Sequence, residues 1–246
     1  MRRLNPSRGH ILAAAITITR ECSVQSLSLM RLFQLVSPAL PIGAYAYSQG
    51  LEQAVEIGWV HDEESCEEWI EGCCRYGLAR LDAPVLVRLL EAWRANDIES
   101  VVYWSMFLHA SRETEELQRE DQQLGTALAR LLGDMGIEEA RLWTSRPYVT
   151  WATLFSLAAT RWHIGVDEAV GGYLWSWCES QVAAGIKLVP LGQTAGQRIV
   201  WSLGEMIPEL SESAQSIEDD EIGAFLPGLA KASSLHETQY CRLFRS

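Results

Sequence analysis

Long apolar runs and an excess of positive charge are both missing from this sequence of 246 residues. No apolar stretch approaches the roughly 20 residues that span a bilayer, so the sequence predicts no membrane helix. Its 20 lysines and arginines against 32 aspartates and glutamates give a formal net charge of −12. Because duplex binding draws most of its affinity from cations on phosphate, this balance argues against a nucleic-acid partner. We expect a soluble cytoplasmic protein that meets basic protein surfaces.

Cysteine motifs are also missing, since none of the six cysteines has CxxC spacing. The adjacent Cys73 and Cys74 would point to different sides of a helix, which makes them a poor disulfide pair. We therefore predict a reduced cytosolic chain with mostly buried thiols. The cysteines are Cys22, Cys66, Cys73, Cys74, Cys178 and Cys241.

The common catalytic and metal-binding motifs are absent as well. Without a GxxxxGK[ST] loop, the chain should not hydrolyse GTP or ATP by itself. Ser48 lies in no GxSxG elbow, and no thiol has the local signature of a cysteine enzyme. The five histidines show no HxxxH spacing. The one alternative for metal binding is a transient ligand set for a soft or borderline cation, formed by His236, Glu237 and Cys241. We predict no catalytic residue, no stable metal site and no cofactor.

Helical periodicity dominates the rest of the sequence, and no stretch alternates convincingly as a strand would. Apolar residues make up 48% of the chain, enough for a sizeable core. Asp62 and Asp82 mark helix starts, and another helix is predicted to stop before Pro208. The acidic stretch Glu209 to Glu221 is interpreted as a solvated loop, followed by a last helix around Leu226 to Ala232. Glu113, Glu115 and Glu116 are interpreted as a solvated helix face.

These signals predict an all-α protein, a single-domain bundle of about eight to ten helices with a flexible C-terminal tail. Residues 1–26 are a separate extension, in which three arginines precede the short apolar run 11–18 without a small-residue cleavage site. We predict that this extension is disordered, or that it reflects a start codon placed too early, and assign it no role. The helical domain is predicted over residues 27–232 and the tail over residues 233–246.

Residues 37–52, SPALPIGAYAYSQGLE, predict a rigid elbow that feeds a helix. Pro38 and Pro41 disfavour helical backbone at the residues before them, and Gly43 permits a turn that bulkier residues resist. In the helix expected after Gly43, one face carries hydroxyl and carboxylate groups and the other is mainly apolar. An ordinary helix–loop–helix corner is the alternative interpretation. The polar face is Tyr45, Ser48, Gln49 and Glu52, and the other is Ala44, Tyr47, Leu51, Ala54 and Val55.

A second block, KLVPLGQTAGQR (187–198), places Gly192 and Gly196 one turn apart in a helical pattern. Each glycine costs about 1 kcal/mol there relative to alanine, which suggests close packing. Gln193 and Gln197 share a neighbouring face and can hydrogen-bond across a helix–helix contact. Packing within the domain and an interface with another chain both remain open.

The tail, SSLHETQYCRLFRS, places apolar Leu243 and Phe244 between Arg242 and Arg245. A terminal segment of this kind is usually disordered unless it is docked. Each guanidinium can grip a carboxylate bidentately, and Phe244 can fill a pocket. The tail therefore either packs on its own domain or becomes ordered on meeting a partner. Our hypothesis is that Arg242 anchors it to a carboxylate, either Glu52 or one on a partner.

The elbow, the 187–198 block and the tail, in that order, closely resemble the UreF family of urease accessory proteins over about residues 27–246. The resemblance implies an all-α, dimeric, non-enzymatic scaffold that binds the accessory protein UreD (also called UreH) and recruits the GTPase UreG. That assembly delivers nickel to the urease apoprotein, and the tail is thought to become ordered near the elbow when UreD binds. A further expectation is that the platform modulates GTP hydrolysis.

Partner-binding residues follow from the resemblance, motif by motif. They are Pro38, Pro41, Gly43, Tyr45, Tyr47, Ser48 and Glu52 in the elbow, Gly192, Gln193 and Gln197 in the second block, and His236, Glu237, Tyr240, Arg242, Leu243 and Phe244 in the tail. Two other classes stay open. A small-molecule hydrolase of helical fold would turn over substrate unaided through a buried serine or histidine. A DNA-binding regulator would need a basic recognition helix, which the sequence does not offer.

Overall fold

A computed structural model describes residues 25–246, and these residues form ten α-helices with no β-strand among them. The predicted all-α class and helix number are confirmed. The helices are α1 (25–35), α2 (Leu51–Glu56), α3 (Glu63–Cys73), α4 (Asp82–Ala95), α5 (Ile98–Ala110), α6 (Glu115–Asp134), α7 (Trp151–Arg161), α8 (Val166–Leu188), α9 (Gln193–Ser216) and α10 (Pro227–His236). The predicted extension lies outside the described residues, apart from residues 25 and 26, which belong to α1.

Side-chain caps fix where several helices begin. Asp62 accepts a hydrogen bond from the backbone N–H of Ser65, and the Ser65 side chain returns one, so α3 starts with a capping box. Thr114 caps α6 and Thr150 caps α7 with a single hydrogen bond each, which the threonine hydroxyl accepts from the backbone N–H three residues later. The helix starts predicted at Asp62 and Asp82 are therefore confirmed.

One apolar core holds the helices together. Helix α4 lies at its centre, since residues on most sides of this helix are buried. Leu86, Leu89 and Leu90 of α4 are fully buried beside Phe155 of α7. The Trp93 indole N–H donates to the backbone carbonyl of Thr153, so the one polar atom of this ring is satisfied inside the core. Within the described part of the chain, no helix is long and apolar enough to cross a membrane.

The thiols agree with the expectation of a reduced chain as far as the structure describes them. Four free cysteines are buried and one is exposed, whereas Cys22 lies outside the described residues. The buried set is Cys66, Cys73, Cys74 and Cys178, and the exposed residue is Cys241.

The predicted break at Pro208 is wrong, because α9 continues through this proline to Ser216. Pro208 lies on the exposed side of the helix, while Leu210 and Ala214 continue its buried face. Burial of that face offsets the hydrogen bond that proline cannot donate. The acidic loop predicted from Glu209 therefore begins only after residue 216, and it contains the 3-10 turn Asp219–Glu221.

The helix predicted directly after Gly43 is also wrong in its extent. Only a 3-10 turn, Ala44–Ala46, precedes α2, because Gln49 and Gly50 have positive φ angles of 49° and 79°. A Cβ atom on Gly50 would lie 3.2 Å from the backbone nitrogen of Ser233, so α10 crosses close to this break. Residues 233–236, assigned to the tail, are the end of α10.

Candidate functional site

The extended part of the tail, residues 237–246, is docked against the elbow and α6 by main-chain and side-chain hydrogen bonds. The carboxylate of Glu52 accepts hydrogen bonds from two consecutive tail amides, the N–H of Leu243 at 2.7 Å and that of Phe244 at 2.8 Å. Phe244 is buried at this point. Of the two behaviours that the sequence left open, the structure shows packing on the chain's own domain.

Arg242 does contact a carboxylate, but the carboxylate belongs to Glu116 of α6. Its guanidinium lies 2.7 Å from Oε1 of Glu116, and it also donates to the backbone carbonyl of Glu237. The carboxylate of Glu52 instead accepts the backbone amides of Leu243 and Phe244. The choice of Glu52 as the Arg242 partner is therefore wrong.

His236 ties the end of α10 to both of these carboxylates. Its ring is fully buried, with Nδ1 2.9 Å from Oε2 of Glu116 and Nε2 3.3 Å from Oε2 of Glu52. A buried imidazole between two carboxylates satisfies polar groups that would otherwise lose their hydration. His236 thus supports the tail from inside. Among the described residues, no three or more His, Cys, Asp or Glu side chains are arranged so that they could hold a metal ion.

The last residues of the tail pair with the backbone of the elbow. The N–H of Arg245 donates to the carbonyl of Ala46 at 2.8 Å. The backbone N–H and the hydroxyl of Ser48 both donate to the main-chain oxygen of Ser246, at 2.7 Å and 2.6 Å. Ser48 and Ser246 are both buried. Ser48 is therefore a tail-binding residue of the elbow.

Glu120 of α6 connects the end of the tail to the elbow. Its carboxyl group accepts hydrogen bonds from the Ser246 hydroxyl at 2.5 Å and from the Gln49 amide at 2.7 Å. Burial raises the pKa of Glu120 to about 7, and these two hydrogen bonds oppose that rise. The group therefore changes charge near neutral pH.

The elbow tyrosines have different environments. Tyr47 is buried, and its hydroxyl donates to Oε1 of Gln123 at 2.5 Å. Burial raises the pKa of Tyr47, against a smaller lowering by the Arg245 guanidinium. Tyr45 is 72% exposed and points away from the core. Pro41 is exposed at the corner, and Gly43 adopts a φ of 83° that favours glycine.

The tail also divides into buried and exposed side chains. Tyr240 is fully exposed and Leu243 is 65% exposed, on either side of the Arg242 contact with Glu116. Glu237 accepts the N–H of Glu116 at 3.2 Å, near the start of α6. The structure thus separates residues that hold the tail from residues that face outward.

The structure brings the elbow and the 187–198 block together around a cleft of about 310 Å³. Gln193 and Gln197 are exposed at this cleft, which Pro38, Tyr45 and Tyr47 line from the elbow. The glycines of the block do not share the location. Gly192 is the N-cap residue before α9, and a Cβ atom there would meet no neighbour within 4 Å, whereas Gly196 packs tightly against the Ile186 side chain of α8. For Gly196 the packing interpretation is confirmed.

Sequence reasoning missed the inward face of α6. Glu116, interpreted as part of a solvated face, is buried, and so are Glu120 and Asp121. Arg112 pairs with Asp121 and with Asp82 of α4 at 2.8 Å and 2.6 Å. One signal was present: Glu116 and Glu120 are four residues apart and follow the same face as Leu117 and Leu124.

Known proteins resemble this chain over most of its length. The UreF family model matches residues 60–204. A urease accessory protein UreF of Alkalilimnicola ehrlichii is 52% identical over 220 residues, covering 89% of this chain and 96% of that protein. UreF proteins of Hahella chejuensis and Marinobacter nauticus are each 47% identical, over 89% of this chain and 99% and 95% of their own lengths.

Proposed function

The chain belongs to the UreF family of urease accessory proteins, and we propose that it is a non-enzymatic scaffold in urease maturation. In this role it binds UreD (UreH), and the pair recruits the GTPase UreG so that nickel is inserted into the urease apoprotein. We further propose that it works as a homodimer. The relatives are named accessory proteins, which fits a scaffold rather than a catalyst.

The observation that carries the proposal is the composite surface of tail and elbow. Glu52, His236 and Ser48 hold the tail from inside, so they pre-organise the tail rather than contact a partner directly. Tyr45 and Tyr240 are left exposed on that support. Exposed aromatic side chains on a rigid base are typical of the residues that contribute most to protein–protein affinity. Pre-organisation lowers the ordering cost of binding.

The hydrolase alternative gains nothing from the site. The hydroxyl of Ser48 donates to the main-chain oxygen of Ser246, and it accepts the N–H of Glu52. His236 is buried between two carboxylates, and its ring nitrogens contact those groups rather than Ser48. An activated serine needs a general base such as histidine within hydrogen-bond reach, and the Ser48 hydroxyl is bonded to main-chain atoms instead.

The test compares exposed tail side chains, those of Tyr240 and Leu243, with the buried side chain of Phe244. We expect the variant Tyr240→Ala with Leu243→Ala to keep its tail docked but to capture UreD and UreG roughly tenfold less well, because it lacks exposed contact residues. We expect Phe244→Ala to lose capture through release of the tail, since the Phe244 ring is buried. Limited proteolysis of residues 237–246 separates the two routes.

The control is Leu142→Ala, which removes a side chain that is 69% exposed in the 3-10 turn Glu138–Trp143. Leu142→Ala should capture UreD and UreG as well as the unmodified chain does. Undiminished capture of both partners by the Tyr240 and Leu243 variant would contradict the proposed surface. Normal urease maturation in cells that lack the chain would contradict the function itself. Equal GTP turnover by UreG with and without the complex would remove only the modulating role.

A further inference from the structure

A groove of about 350 Å³ runs between the elbow and α6, and it shares Tyr45 and Tyr47 with the cleft described above. Thr126 and Ala127 of α6 contribute small side chains to it, so the groove stays open. None of the residues that the sequence analysis assigned to partner binding comes from α6. The groove therefore adds a helix to the surface formed by tail and elbow.

The charge of this groove is opposite to that of the chain. Its lining contains the guanidiniums of Arg130 and Arg245 and no carboxylate, although the chain has a net charge of −12. Within residues 25–246, neither arginine forms an ion pair. Other arginines do so within the chain: Arg75, Arg88, Arg112, Arg119, Arg141, Arg161, Arg198 and Arg242. Two guanidiniums without an ion-pair partner among the described residues therefore share one groove beside the elbow.

Both arginines project from anchored backbone. Arg130 lies on α6, one turn after Thr126. Arg245 is held by the hydrogen bond from its own N–H to Ala46, and the next residue is held by Ser48. Side chains on a fixed backbone lose less freedom on binding, and guanidinium groups match the planar geometry of carboxylates.

We propose that this groove binds an acidic segment of a partner protein, with Arg130 and Arg245 each gripping a carboxylate. The inference rests on the proposed function, because it names the chemistry of a partner at the surface formed by tail and elbow. A protein carboxylate fits better than a nucleic-acid phosphate, since the remaining surface of a chain with this net charge repels a polyanion.

The experiment measures capture of UreD, and of UreG by the UreD-bound complex, for Arg130→Glu, Arg245→Glu and the double variant. We expect the double variant to weaken at least one of these steps by roughly tenfold, because reversed charges meet the partner's carboxylates. Added salt should weaken capture by the unmodified chain more than by the variant, since it screens the contact. Arg130→Lys should retain part of the affinity, because it keeps the charge but not the bidentate geometry.

The matched control is Arg146→Glu, an exposed arginine outside this groove whose guanidinium, within residues 25–246, hydrogen-bonds only the Tyr148 hydroxyl. If the double variant behaves like this control in both capture steps while the Tyr240 and Leu243 variant loses capture, the inference is overturned and the proposed function stands. If the Tyr240 and Leu243 variant also captures normally, the proposed function fails first. Should Arg245→Glu release the tail, Arg130→Glu alone decides, because α6 does not depend on the tail.

Discussion

The backbone N–H of Phe244 donates a 2.8 Å hydrogen bond to the carboxylate of Glu52, a residue 192 positions earlier in the chain. The same carboxylate accepts the preceding amide, from Leu243. Hydrogen bonds to an ionised acceptor are stronger than neutral ones. Because Glu52 recognises backbone rather than side chains, its grip leaves Leu243 free to face outward. The support of the tail and its contact surface are therefore separate properties.

Substituting Glu52 with glutamine should loosen the tail without unfolding the domain. Glutamine offers one carbonyl oxygen where two tail amides need acceptors, so one buried N–H loses its partner at a cost of about 1–3 kcal/mol. We expect residues 237–246 to become sensitive to protease, and the amides of Leu243 and Phe244 to exchange their hydrogens faster. Mass spectrometry after limited proteolysis measures the first effect.

The control for this prediction is Glu68→Gln, on the exposed side of α3, where no tail residue approaches. Its tail should remain as resistant to protease as that of the unmodified chain. Equal resistance in Glu52→Gln would show that the tail is held by Phe244 and Arg242 without help from Glu52.

Local sequence signals predicted much of the fold, and their success has a physical basis. The α3 cap depends only on Asp62 and Ser65, three residues apart, so it can be read from a short stretch. The literal sequences of the elbow and the tail predict that both segments bind partners. That they meet, and that Glu52 is where they meet, depends on a contact between residues far apart in the chain.

The errors share one cause, which is that distant residues override local preference. Gly50 breaks the helix expected after Gly43 because α10 crosses close to it. Pro208 fails to end α9 because the buried face continues beyond it. Glu116 is predicted to be solvated from its neighbours in sequence, but it is buried because His236 and Arg242 pack against its carboxylate. None of these partners is adjacent in sequence.

The buried carboxyl of Glu120 should make stability depend on pH. Burial raises its pKa in the folded chain from 4.5 to about 7, so between these values the folded state holds a proton that the unfolded state has released. Stability from this group is therefore greatest below about pH 4.5 and falls as pH rises toward 7. The full difference is about 3 kcal/mol, at roughly 1.4 kcal/mol per pKa unit.

Glu120→Gln removes this titration and keeps a group of similar shape that can still contact Ser246 and Gln49. We expect the variant to gain stability relative to the unmodified chain as pH rises from 5 to about 7.5, because it escapes the cost of a buried charge. Urea unfolding of both proteins across that range measures the difference. Parallel stability curves would contradict the raised pKa, and Glu64→Gln, on the surface of α3, should give such curves.

The charged cluster around Arg112 should be far more sensitive to substitution than a surface ion pair. Burial by itself would lower the pKa of Arg112, but Asp121 and Asp82 hold it well above its ordinary value. Arg112→Met leaves both carboxylates buried without a cation, which costs about 3–5 kcal/mol. Arg119→Ala removes an exposed pair with Glu115 and should cost less than about 1 kcal/mol. Similar urea midpoints for the two variants would show that the cluster is hydrated.

Two helical glycines should respond to alanine in opposite directions. A Cβ atom on Gly125 would lie 2.7 Å from the backbone carbonyl of Thr150, so α6 and α7 would have to separate. We expect Gly125→Ala to destabilise the chain by roughly 1–3 kcal/mol through overpacking. Gly72 of α3 has no neighbour within 4 Å of the same position, so Gly72→Ala should stabilise by about 0.5–1 kcal/mol. Thermal unfolding of both variants measures the signs, and a stabilising Gly125→Ala would mean that α6 and α7 pack less closely at this point than the structure shows.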